Sequence, residues 1–111
     1  MSADKLATVV PVDDLAAAVA WWEDLLGVEP TFVDGDRWAQ FDLGGTRLAL
    51  AGADRTDDRP GVLVKVPDVD ARRGELLAAG VTVGELEVGP HETRCTVDGA
   101  GPVSVTLYSS S

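Results

Sequence analysis

Val10-Pro-Val-Asp-Asp14 and, further along, Val64-Lys-Val-Pro-Asp68 read as one structural device used twice. In both, a β-branched stretch suited to a pleated, half-buried surface ends at an aspartate. A short acidic side chain there accepts the free amides of a helix's first turn, which makes it a helix start. Asp13 or Asp14 serves the first copy, and Asp68 or Asp70 the second. After the first start, Leu15, Val19, Trp22 and Leu26 recur at spacings of four, three and four, which is one face of a helix. Gly27 closes that helix, since only glycine enters the left-handed conformation of a C-terminal cap freely. The second helix runs to about Ala79 and closes at Gly80.

Working outward, residues 5–12 form a strand, and Pro11 confines it to an edge or marks its end. Short strands are expected at residues 29–33, 37–43 and 47–51, turned by Asp34-Gly35 and Gly44-Gly45. The polar stretch from residue 52 to residue 60 is the one convincing linker. Strands follow at residues 62–66, 81–86, 92–97 and 103–108, with turns at Val88-Gly-Pro90 and Asp98-Gly-Ala-Gly-Pro102. Leu26-Gly27-Val28 matches Ala79-Gly80-Val81, and Asp42-Leu-Gly-Gly45 matches Asp98-Gly-Ala-Gly101. The order strand, helix, strand, strand, strand therefore occurs twice, which is an internal repeat. A single α+β domain over residues 1–111 is expected: module one 1–52, linker 53–60, module two 61–111.

Composition removes several function classes. Hydrophobic residues make up 45% and charged residues 25%, as in a globular domain with a real core. One cysteine, Cys95, excludes an internal disulfide, and one histidine, His91, excludes a multi-histidine metal centre in a single chain. Nineteen acids against nine bases give a net charge of -10. That field repels nucleic acid and anionic membrane, so neither is an expected partner. It would favour a cationic ligand, unless the acids serve only solubility. No apolar run is long enough to span a membrane and no secretion signal is visible, so a cytoplasmic location is expected.

Val12-Asp-Asp-Leu15 running into Ala20-Trp-Trp-Glu-Asp-Leu-Leu-Gly27 resembles the opening of the vicinal oxygen chelate superfamily, which includes glyoxalase I, extradiol dioxygenases and bleomycin resistance proteins. Val66-Pro-Asp-Val-Asp70 to Ala78-Ala-Gly-Val81 is similar to its second copy, and Asp98-Gly-Ala-Gly101 looks like its closing turn. The resemblance implies two tandem βαβββ modules forming a cupped eight-strand sheet, with the helices on its outer face. It also implies a metal held by His and Glu on the first and last strands of the modules. Those positions fall on Ala7, Ala49, Gly61 and Thr106, none of them a useful ligand for a divalent metal. A metal-free, bleomycin-resistance-like member is expected, with no cofactor and usually paired as a homodimer.

Period-two alternation sorts the strand residues onto two faces. Phe41, Leu43, Leu48, Leu50, Val64, Val66, Cys95, Val97 and Leu107 belong under the helices. The opposite face carries Ala7, Val9, Lys65, Thr96 and Ser104 beside the ligand-binding set Trp38, Gln40, Arg47, Ala49, Leu63, Arg94, Thr106 and Tyr108. Apolar walls with a few polar groups are the composition of a small-molecule pocket, and the small residues at the ligand positions leave room in it. Trp38 either stacks on a planar ligand or fills a sheet edge or dimer seam. Arg47 and Arg94 either anchor a ligand or pair with surface acids. Trp22 belongs to the core, Trp21 to a cleft rim or interface. His91 reads as a solvated turn residue and Cys95 as a buried, inert thiol. No residue is assigned a catalytic role. The leading function is binding and sequestration of a small organic molecule, such as an antibiotic or another planar natural product. A metal-independent lyase or isomerase on the same scaffold is the alternative, and an interaction module is a third.

Overall fold

The computed structural model describes residues 2–55 and 57–110. Its elements run β1 (Lys5–Pro11), α1 (Leu15–Leu26), β2 (Phe32–Asp34), β3 (Trp38–Leu43), β4 (Thr46–Ala51), β5 (Gly61–Lys65), α2 (Val69–Ala78), β6 (Glu87–Val88), β7 (Glu92–Val97) and β8 (Ser104–Ser110). The fold is α+β, with strands in the order β2-β3-β4-β1 in the first half of the chain and β5-β8-β7-β6 in the second. The chain divides into two compact units, one over Ala7–Pro60 and one from Gly61 onward that also takes in residues up to Leu6. Among the described residues no helix is long and apolar enough to cross a membrane.

The repeated device is visible in bond geometry. The Asp14 carboxylate accepts the amide of Ala17 at 3.1 Å, and the Asp68 carboxylate accepts that of Ala71 at 3.1 Å. Of the two aspartates open at each start, Asp14 and Asp68 are therefore the caps. The residue after each cap, Leu15 or Val69, is buried. Gly27 and Gly80 follow the helices at φ of 72° and 84°.

In the unit over Ala7–Pro60, β1 pairs in parallel with β4, and β4 pairs antiparallel with β3 across Gly44-Gly45. Leu15, Ala39, Phe41 and Leu50 form its core, with Val10, Val19, Trp22 and Leu48 packed around them. In the other unit, β5 pairs in parallel with β8, and β8 antiparallel with β7. Its core is Val66, Val69, Cys95 and Leu107, flanked by Val64 and Val97. The Ser109 hydroxyl accepts the Val69 amide at 3.1 Å and ties β8 to the start of α2.

Two expectations fail. Residues 81–86 do not form a strand: the ladder begins at Glu87, and Val83 makes only an isolated bridge to Val97. The segment meets β7 through Gly84 donating to the Thr96 carbonyl and Asp98 donating to the Thr82 carbonyl, both at 2.9 Å, while other groups of it are engaged by α2. Val81 donates to the Leu76 carbonyl to close α2, and the Gly84 carbonyl accepts Arg73 Nε at 2.7 Å. Leu43, assigned to the core, is 48% exposed. It lies at the hairpin tip opposite Thr46, beyond the reach of α1's buried face.

Gly61 is a tight point of the second unit. A Cβ there would collide with the Ser104 hydroxyl and stand 2.9 Å from the Ser104 carbonyl oxygen. Gly61→Ala is expected to destabilise the protein by about 1–3 kcal/mol through overpacking, read by urea unfolding. Adding Ser104→Gly should restore part of that loss. Wild-type stability in the single variant would contradict the close approach.

Candidate functional site

The helix covers one face of each unit's strands, and the expected binding set belongs to the other face. In the unit over Ala7–Pro60 the register sets that face in rows: Gln40 opposite Ala49, Asp42 opposite Arg47, and Trp38 opposite Ala51. On β1, Ala7 pairs with Arg47 and Val9 with Ala49. Trp38, Gln40, Arg47 and Ala49 therefore share one face, opposite the buried Ala39, Phe41 and Leu50. Trp38 Nε1 donates to Gln40 Oε1 at 3.3 Å, so the indole and the amide lock each other. With its oxygen engaged, Gln40 presents its NH2 group as a donor.

Arg47 is not an idle cation. Its Nε donates to Asp42 Oδ1 at 2.6 Å and Nη2 to Asp42 Oδ2 at 3.4 Å, while Asp42 also accepts the Thr31 hydroxyl at 2.8 Å. A forked, bidentate pair of this kind fixes the guanidinium plane. Asp42 was absent from the residues expected here, although a two-residue turn at Gly44-Gly45 places it directly across from Arg47. Ala49 lies on that face with its methyl fully buried.

In the other unit, Leu63 pairs with Thr106 and Lys65 with Tyr108, while Thr96 lies opposite Thr106 and Arg94 opposite Tyr108. Leu63, Arg94, Thr106 and Tyr108 therefore share a face, half-buried, away from Cys95 and Leu107. Arg94 sits 3.4 Å from Glu87 and 3.9 Å from Glu92. Glu87 is its cross-strand partner, a pairing hidden from the sequence by the misplaced strand at residues 81–86. Lys65 lies on this face as alternation requires, though it was outside the expected binding set.

The positions that would hold a family metal do not fit one. Ala7 and Ala49 offer buried methyl groups, Gly61 has no side chain, and Thr106 has a neutral hydroxyl. Among the described residues no group of three or more His, Cys, Asp or Glu is placed to hold a metal ion. Nor do the small residues leave open room: Ala7 and Ala49 are sealed, and Ser104 presses against Gly61.

Other reactive groups lie elsewhere. Cys95 is buried under α2, and burial pushes its thiol pKa up. His91 is exposed beyond Pro90. Trp21 is 60% exposed and meets Trp22 edge-on, with centroids 5.1 Å apart. An open recess of about 670 Å³ lies where α1 begins, lined by Asp13, Asp14, Asp36 and Arg55 among others. Arg55 there is spent on Asp13 at 2.7 Å and Asp58 at 3.3 Å. That recess shares no residue with the expected binding set.

A family model described as Glyoxalase/Bleomycin resistance protein/Dioxygenase superfamily matches residues 5–95. No curated protein matches the chain in sequence. Among solved structures, NAD-dependent benzaldehyde dehydrogenase from Legionella pneumophila aligns with a TM-score of 0.84 at 12% identity, over 96% of this chain and 99% of that one. Methylmalonyl-CoA epimerase from Streptomyces coelicolor aligns with a TM-score of 0.74 at 19% identity, over 99% and 96%. A glyoxalase/bleomycin resistance protein/dioxygenase superfamily member from Vibrio splendidus aligns with a TM-score of 0.73 at 14% identity, over 97% and 99%. At such identities the likeness is one of fold.

Proposed function

The chain belongs to the glyoxalase/bleomycin resistance protein/dioxygenase superfamily, and on that scaffold we propose that it is a metal-free protein that binds a small organic molecule. The observation that carries this reading is the chemistry of four positions. Ala7, Ala49, Gly61 and Thr106 supply no metal ligand, while the same faces carry aromatic, amide and hydroxyl groups. Trp38 provides a flat apolar surface and Gln40 a fixed donor beside it. Arg47, oriented by Asp42, adds a polar edge. Leu63, Thr106, Tyr108 and Arg94 supply the same mixture in the other unit. A planar natural product, an antibiotic among them, matches that mixture, and sequestration needs affinity alone. Micromolar binding corresponds to about -8 kcal/mol, within reach of an aromatic-walled site.

Turnover without a metal would require a positioned proton carrier. His91 stands exposed in a turn, Cys95 lies under a helix with its thiol pKa raised, and Arg47 and Arg94 are engaged by acids. Binding is preferred over a metal-independent lyase or isomerase, for which Tyr108 is the remaining candidate on the face. We place the protein in the cytoplasm, where a lone thiol stays reduced.

We take the working form to be a homodimer. The outer strands β2 and β6 are short and expose Phe32, Val33 and Val88, the kind of edge that a second copy would cover. Light scattering should give twice the 11.6 kDa chain mass. A monomer mass at every concentration would contradict this.

The site is tested through Trp38. Trp38→Ala should weaken binding of N-phenyl-1-naphthylamine, a neutral aromatic probe, by about 2 kcal/mol if the indole is its wall. Far-UV circular dichroism should stay unchanged, because Ala39, Phe41 and Leu50 on the helix side are untouched. Undiminished probe binding by the folded variant would remove Trp38 from the site.

A further inference from the structure

All seven arginines are held by acids: Arg37, Arg47, Arg55, Arg59, Arg72, Arg73 and Arg94 each make an ion pair. The two lysines differ. Among the described residues neither Lys5 nor Lys65 has an ion pair or a side-chain hydrogen bond. For Lys5, exposed at the start of β1, this is the ordinary state of a solvated ammonium.

Lys65 is not in that position. It is half-buried, and it alternates with Val64 and Val66, which pack on the helix-side core. Its side chain therefore shares the opposite face with Leu63, Thr106 and Tyr108, with Tyr108 directly across the ladder. The next residue in that row, Arg94, is already compensated by Glu87 and Glu92. Asp4, whose amide donates to the Lys65 carbonyl at 2.7 Å, makes no ion pair with the ammonium. A chain with nineteen acids thus leaves uncompensated the one lysine it partly withdraws from water on this face. Partial burial without a counter-charge is unfavourable, and a partner arriving from outside relieves it.

We infer that Lys65 is the counter-charge for an anionic group, a carboxylate, sulfonate or phosphate, on a molecule bound at the Leu63, Thr106 and Tyr108 face of its own unit. The inference rests on the binding reading above and narrows its ligand to an aromatic or planar anion. It also reverses what net charge suggested. A total of -10 sets the far field, whereas a contact at this face is decided by the groups within a few ångströms.

Two probes that share an anilinonaphthalene body separate the possibilities: 8-anilinonaphthalene-1-sulfonate carries the anion, and N-phenyl-1-naphthylamine does not. Fluorescence titrations compare wild type, Lys65→Met, which keeps the apolar stem, and Lys65→Arg, which keeps the charge. A charge-assisted contact implies that Lys65→Met weakens the sulfonate by about tenfold and leaves the neutral probe within about twofold. Lys65→Arg should retain most of the sulfonate affinity. Equal losses for both probes in Lys65→Met, or no loss for the sulfonate, overturn the inference and leave the binding reading standing. So does a wild type that binds only the neutral probe. If wild type binds neither probe, the binding reading falls and takes the inference with it.

Discussion

The apolar layer beneath each helix is the constraint on which the rest depends. Leu15 follows its aspartate cap directly into contact with Ala39, Phe41 and Leu50, and Val69 does the same against Val66, Cys95 and Leu107. Burying a side chain such as Phe41 or Leu50 contributes about 1.5–3 kcal/mol relative to exposure. Because strand side chains alternate, committing these residues to the helix commits their neighbours to the opposite face. A slip of one residue in β3 would expose Phe41 and bury Trp38 and Gln40. The candidate face is thus a consequence of the core, and its register is as firm as the packing that enforces it.

Much of this layout was legible in the chain. Two aspartates followed by an apolar residue, two closing glycines and the Gly44-Gly45 turn each encode local geometry, and local geometry survives in sequence. The faces of β3, β4, β7 and β8 followed from alternation alone. The strand expected at residues 81–86 is cut to a bridge onto β7, because the Val81 amide and the Gly84 carbonyl are engaged by α2. Arg73 reaches the Gly84 carbonyl from α2, and no local pattern announces such a bond. That error hid Glu87 as the partner of Arg94. Asp42 was readable in principle, since a two-residue hairpin fixes which residues face each other. Ala49 was placed on the right face but its sealing was not visible, since alternation gives direction and not depth.

Charge shows the same division between bulk and local accounting. The acidic excess suggested a cationic ligand, yet most of it lies in caps, loops and pairs with arginines. Arg47 and Arg94 are oriented by Asp42 and Glu87, so they act as positioned donors more than as free charges. Among the described residues Lys65 is a half-buried cation without an ion pair. Together with the residues Ala7, Ala49, Gly61 and Thr106, which offer no useful metal ligand, this is the basis of the proposed binding function.

The central claim is that this member of the superfamily holds an organic molecule without a metal. A native mass spectrum of the protein purified from its own source, recorded beside its denatured mass, tests that most directly. The account predicts excess mass from one small organic molecule per site, released on denaturation, with no stoichiometric metal. A spectrum showing one bound zinc, iron, manganese or nickel ion per site and no organic molecule would contradict it.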